Sequence, residues 1–262
     1  FFVFLEDITE RKNSEAALKK AHEELELRVT ERTRALAEAN KLLDALNIAQ
    51  SMFISETDQK ILFDGILQSA VALTESQFGF MGEVFLDEKN APYLKTHAIS
   101  NIAWNEETRK YYATYASGGM EFHNLNTLFG PILTSGQPVI SNDPAHDPRR
   151  GGLPEGHPPL DAFLGMPLYR GKKLVGAIGI ANRPGGYDEN LVNYLQPFFA
   201  SCASIIEAYR ADQERKQAIE EINRNYTVQS TLSAIFKTVL ENIPLEEILS
   251  TILKKIIMIP WF

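Results

Sequence analysis

Five side chains able to do chemistry lie within fifteen residues: Asp143, His146, Arg149, Arg150 and His157. They belong to NDPAHDPRRGGLPEGHPPLDAFLGMPL, residues 142–168. Two adjacent guanidiniums can grip a carboxylate or phosphate through paired donors. The alternative is a solvated pair, or an ion pair with Asp143 or Asp147. An imidazole near neutral pH can offer one nitrogen to a ligand while the other is held by a carbonyl, or it can simply pin the loop backbone. Up to Pro159 the segment is almost all Pro, Gly, Asp, His and Arg, and then it becomes an apolar, strand-like run. Structureless loops of this length are uncommon in compact domains and are usually functional or disordered. Leu153, Leu160, Phe163 and Leu164 supply apolar pins, so the segment reads as the wall of a small-molecule pocket. The segment Met120–Asn126, which contains Phe122, reads as a second loop closing the same cup. No His/Cys/Asp cluster has metal-ligand spacing. Neither a Ser-His-Asp elbow nor a phosphate-binding glycine loop is present. Cys202 reads as core, and His97 and His123 as ordinary strand or loop residues.

The bulk numbers bound the function. The 262 residues permit one large domain or about two smaller ones. A net charge of -8 argues against a nucleic-acid partner. One cysteine excludes a disulfide framework and points to a reducing cytoplasm. No run approaches the ~18 apolar residues of a membrane span, and FFVFLEDITERK lacks the order of a signal peptide. A start at Phe1 and a stop within IIMIPWF read as a piece of a longer protein.

Several elements must position the loop. Phe1 to Ile8 reads as a terminal strand. From Arg11 to about Leu46 there is no Gly or Pro, which favours helix. Leu18, Leu25, Ala39 and Leu46 share one heptad position, interrupted by Arg32, and His22, Val29, Leu36 and Leu43 share the position four residues later. That is a seam for a parallel coiled coil, and hence a homodimer. The alternative is a long surface helix packed on its own domain. The helix continues through Ile54, and a second amphipathic helix covers Ile61–Leu73. Residues 79–86 and 93–99 read as paired strands, Trp104–Tyr115 as helix, and 139–141 as a short strand. Residues 162–170 and 173–183 read as a hairpin around Gly171-Lys-Lys. A final helix runs from Glu189 to about Tyr209, with Leu195, Phe198, Cys202 and Ile205 along one side, and continues as a connector. From Ser230 the pattern of Leu43–Leu73 repeats.

DITERK resembles the junction between a PAS domain's last strand and a signalling helix, which makes residues 1–10 a PAS tail. LTESQFGFMGEV, GQPVISND, AFLGMPLYRGKKLVGAIGIANRPGGYDEN and the helix that follows resemble a GAF domain over residues 46–210. The resemblance implies an α+β fold: a six-stranded antiparallel sheet with a ligand cup on one face and dimerising helices on the other. The organisation expected is a linker at 11–45, the GAF domain, a connector at 211–229 and the truncated start of a second GAF domain at 230–262. Together these resemble the input half of a sensor histidine kinase, with a diguanylate cyclase as the other parent. The expected role is non-catalytic: a small ligand in the cup, a kinase or cyclase domain downstream in the same chain, and no membrane contact in this segment.

The resemblance also bears on the ligand. A GAF-type methionine sulfoxide reductase would need several cysteines, and a covalent bilin one near the loop. Asn182, Arg183, Tyr187, Asp188 and Glu189 form only a contracted version of the cyclic-nucleotide pattern and read more simply as a turn and helix cap. GHPPLDAFLGMPL resembles the segment of haem-binding GAF sensor kinases in which a His before two prolines is the axial ligand. His157 falls on that position, and His146 echoes an upstream histidine. The same segment resembles GAF loops in which the His anchors the lid, so both roles stay open.

Overall fold

The computed structural model describes residues 9–55, 58–100, 106, 109–110, 119–151, 153, 157–240, 246, 249–250 and 253–254. Of the PAS tail expected at residues 1–10, residues 1–8 lie outside them, as do most of Trp104–Tyr115 and of 241–262. The chain divides into two units, residues 1–206 and 207–262.

In the first unit, α1 (Thr9–Ser55) and α2 (Gln59–Leu73) precede the sheet. Asp58 starts α2 by accepting hydrogen bonds from the N–H groups of Lys60 and Ile61 at 2.8 and 3.2 Å, which satisfies two of the helix's orphan donors. The strands are β1 (Phe78–Leu86), β2 (Pro92–Ile99), β3 (Glu121–Phe122), β4 (Val139–Ser141), β5 (Phe163–Arg170) and β6 (Lys173–Ala181). They form one antiparallel sheet in the order β3-β2-β1-β6-β5-β4. The short edge strands, of two and three residues, leave little unpaired backbone at the rims.

One local expectation is corrected. Met120–Asn126 is not wholly loop. Thr96 takes the Met120 N–H on its hydroxyl at 2.6 Å, and this zips Glu121–Phe122 onto β2. The apolar segment around Leu128–Leu133 contains a short helix, α3 (Gly130–Thr134), with Pro131 in its first turn.

The last helix, α4, spans Glu189–Leu240, so the boundaries expected at 210 and 229 both fall inside one helix. Its Leu195, Phe198, Phe199, Cys202 and Ile206 are buried in the first unit, each contributing roughly 1.5–3 kcal/mol where large and apolar. Ile206 comes close enough to β6 that a side chain on Gly176 would meet its Cδ1 at 2.8 Å. The opposite face of the sheet carries α3, with Leu94, Ile132, Leu133, Val139, Phe163 and Ala177 in one cluster. In the second unit, Glu207 to Leu240 is helical, and no residue described there is buried.

Candidate functional site

On the α3 side of the sheet, alternate residues of β1 send Phe78 and Phe80 to one face. β3 adds Phe122, the segment before α3 adds Phe129, and β5 adds Phe163. Together they wall a cavity of about 920 Å³, within the range of small-molecule sites. The Phe122 ring meets those of Phe80 and Phe129 at 5.0 and 4.9 Å between centroids. Gly179 of β6 forms part of the floor, where a Cβ would stand 2.5 Å from the Phe80 ring. The long loop after β4 covers the cavity through Pro144, Ala145, Arg150, Gly151, Leu153, His157, Pro159 and Leu160.

Of the seven residues singled out from sequence, Phe122, Arg150, His157 and Phe163 line this cavity, and Asp143, His146 and Arg149 do not. Arg149 turns the other way. Its Nε and Nη2 donate to the two carboxylate oxygens of Asp147 at 2.9 and 2.7 Å, and Nη2 also reaches Ile140 O at 3.0 Å. The Arg149 hydrogen bond holds the Asp147 carboxyl well below the ordinary aspartate range, against the opposing effect of burial. His146 pairs with Asp143 at 2.9 Å in an exposed contact. Arg150 donates to Ala145 O, which keeps its guanidinium beside the cavity.

His157 is half-buried and meets the Phe78 ring edge-on at 5.9 Å. Its Nδ1 lies 2.8 Å from Pro158 O, so that nitrogen donates and Nε2 is the unprotonated one. Burial lowers the His157 pKa, opposed by this bond, and so favours the neutral ring.

Sequence reasoning passed over Phe78, Phe80 and Phe129, although the i, i+2 spacing of the first two was a signal. It read Asn182 only as part of a turn and helix cap, and it passed over Asn142. Asn182, at φ 60°, accepts from Asp161 N at 2.8 Å and donates to Pro159 O at 3.0 Å. The Asn142 carboxamide donates to Tyr187 O and accepts from Tyr187 N, at 2.9 and 2.8 Å. Among the described residues no group of three or more His, Cys, Asp or Glu could hold a metal ion. None of the described helices is long and apolar enough to cross a membrane.

An antiparallel sheet with helices on one face and a lidded aromatic cup on the other defines a class. The chain belongs to the GAF domain family, whose model matches residues 56–207. It is similar to the methyl sulfide methyltransferase-associated sensor of Methanosarcina acetivorans, at 28% identity over 225 residues. That alignment takes in 84% of this chain and 19% of the sensor, so the chain spans about a fifth of that relative's length. Among solved structures, the GAF domain of a phosphoenolpyruvate-protein phosphotransferase from Coxiella burnetii superposes with a TM-score of 0.53. It is 14% identical, over 67% of this chain and 98% of that one. The corresponding domain from Acinetobacter gives 0.49 at 17% identity, over 66% and 97%. At these identities the likeness is one of fold.

Proposed function

We propose that this chain is a non-catalytic sensory input segment of a signalling protein. A small, mainly apolar ligand binds the lidded cavity, and α1 and α4 carry the response. The observation that carries the reading is the aromatic cavity of about 920 Å³ under the loop after β4. Family membership and the likeness to a sensor support a sensory role. A ligand need only bind one lid arrangement better by a few kcal/mol to shift the population. The exposed stripe of α1 supports a parallel homodimer as the form that signals, in the cytoplasm, to a histidine kinase domain of the same protein, or else a diguanylate cyclase. The domain plan extends this reading: a PAS tail before α1, and the start of a second GAF domain at 230–262.

The test is binding of the fluorescent anion 1-anilinonaphthalene-8-sulfonate to the whole chain and to Gly179→Val, whose side chain enters the cavity floor. Wild type is expected to bind the dye, with affinity falling about tenfold or more in the variant. Equal affinity in a folded variant rejects the cavity as the site.

A second reading is favoured by the His157 geometry. The ring lines the large aromatic cavity and burial favours its neutral form, so His157 would hold a haem, whose iron would supply gas or redox sensing. Arg150, beside the same cavity, would hold a propionate. Haemin added to the protein would then give a Soret band that is lost in His157→Ala; a protein that takes up no haemin removes this reading.

A further inference from the structure

The lid lies between β4 and β5; its described residues are 142–151, 153 and 157–162, and both of its ends are tied to the same turn. At the entry, the Asn142 carboxamide pairs with both backbone groups of Tyr187. At the exit, Asn182 N donates to Ala162 O at 2.9 Å, while the Asn182 side chain binds Asp161 N and Pro159 O and donates to the Gln77 carboxamide oxygen at 3.2 Å. Asn182 is buried and stands in the left-handed region, which asparagine tolerates better than most side chains. Gly186, also at positive φ, lies so close that a Cβ would be 2.5 Å from Asn142 Oδ1.

The turn so gripped, 182–187, leads directly into α4. Asp188 accepts from Leu191 N at 2.8 Å in that helix's first turn, and Tyr187 OH reaches Ser76 at 2.7 Å, just beyond the end of α2. Pro159 and Asp161 belong to both systems. They line the cavity, and their backbone groups are the ones Asn182 binds.

We propose that Asn142 and Asn182 are positioning residues that convert displacement of the lid into displacement of the first turn of α4. The proposal rests on the cavity being the ligand site, and it names the joint through which that site acts. A molecule seated under the lid presses on Pro159 and Asp161. The Asn182 carboxamide, holding both, moves the turn with them, and the Asn142–Tyr187 pair prevents the entry end from yielding separately. Arg149, by contrast, is tied to its own Asp147 and to β4 and not to this turn. Coupling of this kind requires a continuous two-state element, and the shared hydrogen bonds supply the contact.

The test is amide hydrogen exchange on the intact chain, comparing wild type with Asn182→Gly, which keeps the positive φ and removes the carboxamide. Without ligand, exchange is expected to rise about tenfold both at 157–163 and at 187–196, while β2 stays within about twofold. A rise confined to 157–163 overturns the proposal. Asn142→Ala, at an exposed site, must also raise exchange at 187–196; no change there overturns it. With 1-anilinonaphthalene-8-sulfonate saturating, wild type is expected to gain protection at 187–196. Asn182→Gly, with a Kd within about threefold, gains it only in the lid. Protection of 187–196 retained in that variant overturns the proposal. Failure of the dye to bind wild type rejects the cavity reading, and the ligand-free comparison still decides the joint.

Discussion

Asp147 and Arg149 are two residues apart, and their pairing has a pH signature. Because the Asp147 pKa is depressed in the folded chain, its contribution is complete above the unfolded aspartate value near pH 4 and is lost as pH falls through the folded value. Asp147→Asn is therefore expected to lower stability at pH 7 by about 1 kcal/mol, since Arg149 is partly exposed and solvent screens the pair. Urea midpoints of the two proteins should converge as the solution is taken to about pH 2. Cys202 is the contrasting case. Full burial pushes its thiol up to about 12, so the reactive thiolate is scarce. Ellman's reagent should leave the folded protein unmodified and titrate one thiol after unfolding in guanidinium. His97 departs from the ordinary strand residue that its sequence suggests. Its ring is buried against Phe63 at 4.4 Å, accepts from the Gln59 amide at 2.7 Å and donates to the buried Glu83 at 3.2 Å. No short-range pattern joins residues 59, 83 and 97; the pairing of β1 with β2, which sets Glu83 opposite Lys95, brings the last two together.

At the scale of elements, α1 is unusual in what it leaves uncovered. Every residue described from Arg11 to Lys41 is exposed, including Leu18, Leu25, Val29 and Leu36 of the heptad seam. Salt bridges four residues apart, such as Arg11–Glu15 and Arg34–Glu38, line the helix, but each contributes only a few tenths of a kcal/mol. Most helical stability in proteins comes from packing an apolar face rather than from propensity. A parallel pair of α1 helices would cover the stripe. Leu25→Cys and Leu36→Cys should each form an interchain disulfide under mild oxidation, and Leu36→Glu should shift the protein to monomer in sedimentation. A wild type that sediments as monomer would sink the dimer.

The whole molecule divides its labour along the chain. All of the buried hydrophobic residues described lie between Ala45 and Ile206, and the cavity residues lie between Phe78 and Ala181. A chain ending at residue 210 is therefore expected to keep the sheet and to bind 1-anilinonaphthalene-8-sulfonate with a Kd within about threefold of the full chain. Loss of the sheet signal in circular dichroism would show that the chain from Ala211 onward stabilises the first unit.

The amino-acid order by itself determined the local elements, because periodicity and turn chemistry act over a few residues. The helix of α1, the α2 pattern, the strands 79–86 and 93–99, and the hairpin around Gly171-Lys-Lys were all legible, as was the six-stranded antiparallel sheet that their resemblance implied. The loop with His157 was legible too, since its Pro- and Gly-rich composition ends abruptly at an apolar run. Tertiary structure alone decided which side chains share a space. Arg149 and Arg150 are neighbours of one type, yet one closes on Asp147 while the other lines the cavity. Asn182 meets Gln77 and Asp161 because strand register brings Phe78 opposite Ala181 and Phe163 opposite Ala181. Such meetings depend on pairings between distant segments, which only the closed sheet sets.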